Sequence, residues 1–196
     1  VYPESRTVEQ KAYIEGTVTD SDTGKPVKGA VVEIKNSNLG VGYYRAETDR
    51  KGYYRINDFI PYIKYDVEIS AEGYVSFTQT ASISAVRNDI KLTKESVISG
   101  TVRDSSGRAL PDVEVSLRPS GEYDDGAIAR PLFTKSDGRG NYSFSKLNAG
   151  PYLVTFTRGG YITETASLSG IKTAEKFTLQ MVMYRPATLA GKVQVK

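Results

Sequence analysis

The side chains able to do chemistry here are carboxylates, amines, hydroxyls and phenols, because the sequence has no His and no Cys. Without Cys there is no thiolate nucleophile, no disulfide and no thiolate-held zinc, haem or iron–sulfur cluster. Without His the usual general base near neutral pH is missing, as is the commonest metal ligand. Ser-His-Asp and Cys-His constellations therefore cannot be assembled. What remains is carboxylate chemistry, either paired acids for proton transfer or oxygen ligands for calcium. Asp124-Asp125 is the only adjacent carboxylate pair, and it sits in the polar stretch Ser120–Gly126, which reads as a solvated loop. Asp20-Ser21-Asp22-Thr23-Gly24 has the look of a calcium loop but lacks a third acidic ligand and a closing bidentate Glu. Its counterpart further on is Asp104-Ser105-Ser106-Gly107. Both read as hairpin turns, and neither a metal site nor a cofactor is expected.

Aromatic residues offer a second kind of chemistry. Sugar-binding sandwiches present flat aromatic platforms, and the chain has 14 Tyr but no Trp. In Tyr43-Tyr44, strand neighbours point to opposite faces, so one ring faces outward. Tyr53, Tyr62 and Tyr123 complete the candidate ligand-binding aromatics. A Lys–Asn isopeptide crosslink between terminal strands would need Lys11 and Asn88. Nucleic acid is not an expected partner. Charges balance at 11 positive to 12 negative over residues 13–95 and 10 to 9 over 96–184, so the net +3 lies in the tail rather than in a basic groove. No apolar run approaches the roughly 20 residues of a membrane span. The start at Val1, without Met or a signal-peptide pattern, suggests a processed or excised piece of a longer protein.

These groups are carried by an internal repeat. Ile14-Glu15-Gly16-Thr17-Val18-Thr19-Asp20 matches Ile98-Ser99-Gly100-Thr101-Val102-Arg103-Asp104 at Ile, Gly, Thr, Val and Asp. Gly24 and Gly107 follow, then Asp49-x-x-Gly52-x-Tyr54 against Asp137-x-x-Gly140-x-Tyr142, then Gly73-Tyr74 against Gly160-Tyr161. The order is kept and the spacing drifts by only a few residues, as for one module copied with loop insertions. Leu189-Ala190-Gly191-Lys192-Val193 resembles the start of a third copy.

Each module reads as all-β. Ile14, Gly16 and Val18 alternate with Glu15, Thr17 and Thr19; Tyr65, Val67 and Ile69 alternate with Asp66, Glu68 and Ser70. Such one-sided strands imply antiparallel sheets whose apolar faces bury each other. The expectation is two tandem seven-stranded antiparallel Greek-key sandwiches, with first-module strands near 13–19, 29–36, 42–48, 52–57, 64–71, 74–81 and 87–93. Asp49 and Asp137 are expected to accept backbone N–H groups in tight turns, with Gly52 and Gly140 at positive φ. Tyr54 and Tyr142 should enter the next strand facing the core, and Gly73-Tyr74 and Gly160-Tyr161 should form corners with an aromatic plug.

The ordered set resembles the carboxypeptidase regulatory-like domain, a seven-stranded sandwich of transthyretin (prealbumin) type. The resemblance is carried by Ile14-x-Gly16-x-Val18 with Asp20, Gly24 through Val32, Thr48-Asp49-x-x-Gly52-x-Tyr54 and Gly73-Tyr74. In the second copy it is carried by Ile98-x-Gly100-x-Val102 with Asp104, Leu110-Pro111-Asp112-Val113-Glu114-Val115, Ser136-Asp137-x-x-Gly140-x-Tyr142 and Gly160-Tyr161. It implies a non-catalytic accessory module. Hydrolases and intradiol dioxygenases on similar sandwiches use His, which this chain lacks.

The expected organisation is an extension over 1–12, modules over 13–95 and 96–184, and a linker with the first strand of a third repeat over 185–196. The junction Thr93–Val97 has no Gly or Pro and so does not read as a flexible tether. Residues 187–196 alternate like a strand that needs a partner, either the rest of a third module or a neighbouring molecule. The functional expectation is a non-enzymatic spacer in an extracellular, cell-surface or periplasmic protein, with other domains of the same polypeptide as partners. A module that binds glycan or a surface protein, and a filament subunit that self-assembles through residues 187–196, are the alternatives.

Overall fold

Strand formation follows the alternation of apolar and polar residues. Lys64–Ser70 reads exposed and buried by turns, with Tyr65, Val67 and Ile69 inward. The computed structural model describes residues 12–36, 43–59, 64–82, 87–120 and 130–187. Every regular element among them is a strand. The chain divides into two compact units, Val1–Lys94 and Glu95–Lys196.

Unit 1 contains β1 (Ala12–Asp20), β2 (Val31–Lys35), β3 (Tyr43–Glu47), β4 (Tyr53–Phe59), β5 (Lys64–Ser70), β6 (Phe77–Ser82) and β7 (Ile90–Leu92). They form a three-stranded sheet in the order β4-β1-β7 and a four-stranded sheet in the order β3-β2-β5-β6. One core joins the two: Ile14, Val18, Tyr54, Ile56 and Ile90 from the first sheet meet Val32, Ile34, Tyr65, Val67 and Ile69 from the second. Each such side chain contributes about 1.5–3 kcal/mol by leaving water.

Unit 2 contains β8 (Ser96–Asp104), β9 (Glu114–Pro119), β10 (Leu132–Lys135), β11 (Asn141–Leu147), β12 (Gly150–Thr157), β13 (Glu164–Ile171), β14 (Lys176–Thr178) and β15 (Met181–Met183). Its sheets run β11-β8-β14, with β15 also on β8, and β10-β9-β12-β13. Ile98, Val102, Tyr142, Phe144 and Met183 meet Val115, Leu117, Tyr152, Val154 and Phe156 in the core.

Three details depart from the sequence expectation. The first is strand direction. Pairing is antiparallel except between the first and last strands of each unit: β7 runs parallel to β1, and β14 and β15 run parallel to β8. Alternation records which face a residue occupies, not which way its strand runs. The last strand crosses from one sheet to the other and lands beside the first in the same direction. The second is continuity. The last strand is interrupted in both units, at Asn88-Asp89 and at Leu179-Gln180, so unit 2 has β14 and β15 where a single strand was expected. The third is the start of β6, at Phe77 rather than residue 74. Tyr74 N donates to Ala71 O at 3.2 Å, so Tyr74 closes a turn instead. Tyr62, Tyr123, Asp124-Asp125, Lys11 and the chain from residue 188 onward lie outside the described residues.

Candidate functional site

Buried carboxylates are the first place to look for an acid or base. Asp20 is 3% exposed and Asp104 is 7% exposed, at the ends of β1 and β8. Asp20 Oδ1 accepts from Asp22 N, Thr23 N and Thr23 Oγ1, and its Oδ2 accepts from Tyr74 Oη at 2.9 Å, with Lys94 Nζ at 3.3 Å. Asp104 Oδ1 accepts from Ser106 N, Ser106 Oγ and Arg108 N, and the Arg108 guanidinium reaches Oδ2 at 3.0 Å. The Thr23 amide, ahead of the opposing effect of burial, holds the Asp20 carboxyl well below the usual carboxylate range. The Ser106 hydroxyl, aided by amides and Arg108, holds Asp104 down at about 2. Acids so depressed stay ionised and have no proton to give, and their oxygens are already occupied by donors. They close turns. The sequence placed both in turns; it did not reveal that Tyr74 and Lys94 reach back to Asp20 from 54 and 74 residues away.

The Asp-x-x-Gly-x-Tyr turns are built alike. Asp49 Oδ1 accepts from Lys51 N and Tyr53 N at 2.8 and 2.9 Å. Asp137 Oδ1 accepts from Arg139 N and Asn141 N, both at 2.8 Å. Gly52 and Gly140 have φ of 72° and 78°, and a Cβ on either would also strike a carbonyl of the first strand, Val18 or Val102. One position earlier than each Asp, a buried hydroxyl joins two loops. Thr48 Oγ1 donates to Val27 O and accepts from Ala30 N; Ser136 Oγ donates to Leu110 O and accepts from Val113 N. The sequence signal was there, a hydroxyl residue before each Asp, but nothing local told its role.

Gly16 and Gly100 sit where the first strand passes the break in the last. A Cβ on Gly16 would overlap the Asn88 carbonyl, and one on Gly100 the Leu179 carbonyl. Tyr54 Oη and Tyr142 Oη donate to these same carbonyls, each at 2.8 Å. Burial pushes the Tyr54 phenol up to about 12 and raises that of Tyr142 further. Gly73 and Gly160 begin corners at positive φ. Tyr74 uses its hydroxyl on Asp20, whereas the Tyr161 ring has the Arg158 and Arg185 guanidinium groups at 5.6 and 5.4 Å from its centroid.

The candidate ligand-binding aromatics do not converge. Tyr43, on β3, is 59% exposed; its hydroxyl donates to Glu33 Oε1 at 2.7 Å, and Lys35 Nζ lies 5.7 Å from its ring. Tyr44 turns inward, edge-on to Tyr65 with ring centroids 6.2 Å apart. Tyr53, on β4 in the other sheet, donates to Glu15 Oε2 at 2.6 Å, and Arg55 reaches the same oxygen at 3.2 Å. Tyr43 and Tyr53 thus face outward from opposite sheets. Phe133, which no sequence motif marks, is 63% exposed on edge strand β10. It borders a shallow depression of about 300 Å³ on the outer sheet face, together with Ser116, Arg118, Pro131, Leu153 and Thr155. Among the described residues no group of three or more acidic side chains could hold a metal ion. No helix there is long and apolar enough to cross a membrane.

Several solved structures match the chain at low sequence identity. The Bacillus anthracis TIE protein is 20% identical with a TM-score of 0.40; the match covers 89% of this chain and 34% of that one, so this chain spans about a third of that protein. A minor pilin of Streptococcus agalactiae is 14% identical with a TM-score of 0.46, covering 93% of this chain and 100% of the pilin. A chlorocatechol dioxygenase of Rhodococcus opacus is 12% identical with a TM-score of 0.39, covering 47% of this chain and 60% of the enzyme. No curated protein matches the sequence significantly. The profile of one family matches twice, over residues 13–93 and 97–183, and by that repeated match the chain belongs to the carboxypeptidase regulatory-like domain family.

Proposed function

We propose that the chain is a non-enzymatic structural segment of a secreted, surface-exposed or periplasmic protein, with two β-sandwich modules in series supporting or presenting other domains of the same polypeptide. The joint between the units carries this reading. Thr93 O accepts from Val75 N at 2.9 Å, and Lys94 pairs with Tyr74 and reaches Asp20, so both residues belong to unit 1. Glu95 Oε2 accepts from Lys146 N at 3.0 Å, and Ser96 Oγ donates to Lys172 O at 2.7 Å, so both belong to unit 2. A flexible tether needs residues free of such bonds. None stands between Lys94 and Glu95. The two buried carboxylates support the same reading, since the oxygens of Asp20 and Asp104 are already taken up by turn donors.

Amide ¹⁵N relaxation on the full chain tests it. Residues 93–95 should show order parameters near those of the flanking strands, about 0.85. Values below about 0.6 at these positions would make the joint a tether and remove the spacer reading.

The exposed ring of Phe133 beside Arg118 and Leu153 favours a second reading, a binding module for a glycan or a surface protein. Glycan-array binding that is lost in Phe133→Ala, with the fold intact, would select it.

A further inference from the structure

We infer that each unit is a mechanical clamp that resists tension applied through its two ends. This deepens the spacer reading and takes its biological sense from it, but the physical basis is strand register alone. In unit 1 the chain enters at Ala12 along β1 and leaves at Leu92 along β7. These strands are neighbours and parallel, with Val18, Thr19 and Asp20 opposite Ile90, Lys91 and Leu92. The entering end of β1 and the leaving end of β7 therefore point in opposite directions along one shared axis. Tension between them slides the two strands past each other and loads every bond of the ladder at once. Were the strands antiparallel, both ends would emerge side by side, and tension would open the bonds one at a time.

Further bonds lie along the same seam. Asn88 N donates to Glu15 O at 2.8 Å, and Ser21 N donates to Leu92 O at 2.9 Å, beyond either end of the ladder. Asp89 Oδ1 accepts from Thr17 N and Thr17 Oγ1 at 2.8 and 2.9 Å. Tyr54 ties the Asn88 carbonyl to the third strand of the sheet, so the break in the last strand is held rather than loose.

Unit 2 has the same geometry with a longer seam. Val97, Ile98 and Ser99 lie opposite Lys176, Phe177 and Thr178, and Val102, Arg103 and Asp104 lie opposite Met181, Val182 and Met183. Val97 N donates to Glu175 O and Leu179 N to Ser99 O, both at 2.8 Å. Thr101 Oγ1 bonds to Gln180 across the break. Among the described residues six parallel pairs share the load in unit 2 against four in unit 1, the Glu15–Arg87 bridge included, so unit 2 is the stronger clamp.

Single-molecule force spectroscopy on the full chain, held between handle domains fused at its ends, tests this. Two rupture events are expected, the weaker releasing about 260 Å of chain for residues 12–92 and the stronger about 290 Å for residues 96–183. The chain has no Cys, so handles can be placed anywhere by substitution. Asp22→Cys with Lys91→Cys puts both handles at the same end of β1 and β7, where tension peels the pair. Rupture of unit 1 should then need severalfold less force than through the chain ends. Equal force in the two geometries, or rupture of unit 2 before unit 1, would overturn the clamp. Either result would leave the spacer reading to the relaxation measurement on residues 93–95.

Discussion

Tyr142 donates its phenolic proton to the carbonyl of Leu179 at 2.8 Å, and that carbonyl fills the space a side chain on Gly100 would need. Unit 1 repeats the arrangement with Tyr54, Asn88 and Gly16. The glycine and the tyrosine, 42 and 38 residues apart in the two copies, are thus two halves of one device. The glycine lets the interrupted last strand come close, and the tyrosine bonds the carbonyl exposed at the interruption.

Gly100→Ala should therefore destabilise unit 2 by about 2–4 kcal/mol, because the obstacle is backbone and cannot rotate away. Gly170→Ala is the control. It lies in β13 with open space around its Cα, and there alanine should be neutral or stabilising by up to about 1 kcal/mol. Urea midpoints of the two variants check the contrast, and equal midpoints would remove the close-approach account.

Tyr54→Phe and Tyr142→Phe leave the carbonyls without their donor, a loss of about 1–2 kcal/mol each. Both phenols are raised by burial, Tyr54 to about 12 from an ordinary value of 10.0. A raised folded-state value means that the native chain keeps its proton when the unfolded chain has lost it. The contribution is complete below about pH 10 and fades as pH rises toward about 12. Alkaline unfolding curves should be flatter across that window in Tyr54→Phe than in the parent chain.

Acid acts in the opposite sense on Asp104. Its carboxyl is depressed to about 2 from 3.8, so its contribution is present above the unfolded value and is lost as pH falls from 3.8 toward 2. Asp20 is shifted the same way by the Thr23 amide. Asp104→Asn should lower the melting temperature at neutral pH and weaken its dependence on pH below about 4. An unchanged acid limb would mean that the carboxylate is not held by the Ser106 and Arg108 donors.

Much of this was legible in the residues. The order Gly, Asp-x-x-Gly-x-Tyr, Gly-Tyr, seen twice, gave the modules, because each landmark meets a local backbone need such as the turn at Asp49 or the positive φ at Gly52. Long-range relations were not legible. Gly16 meets Asn88 across 72 residues, and nothing in either stretch marks the approach. The parallel course of β7 beside β1 was equally hidden, since Ile90 and Leu92 would alternate the same way in either direction. The candidate aromatics show the same limit. Alternation separated the faces of Tyr43 and Tyr44, but not that Tyr43 and Tyr53 lie on different sheets.

The hydroxyls before the two turn aspartates give the last prediction. Thr48 Oγ1 bridges Val27 O and Ala30 N at 2.7 and 2.8 Å, and Ser136 Oγ bridges Leu110 O and Val113 N at 2.7 and 2.9 Å. Both side chains are buried, so water does not replace them. Thr48→Val keeps the shape but strands a donor and an acceptor, at about 1–3 kcal/mol for each unsatisfied group. Thr48→Ser keeps the hydroxyl and loses only a methyl group, at about 1 kcal/mol. The Val variant should thus be the less stable of the two although it is the more apolar, and equilibrium urea unfolding decides the order. Were Val the more stable, packing rather than hydrogen bonding would hold the loop of residues 27–30 to the end of β3.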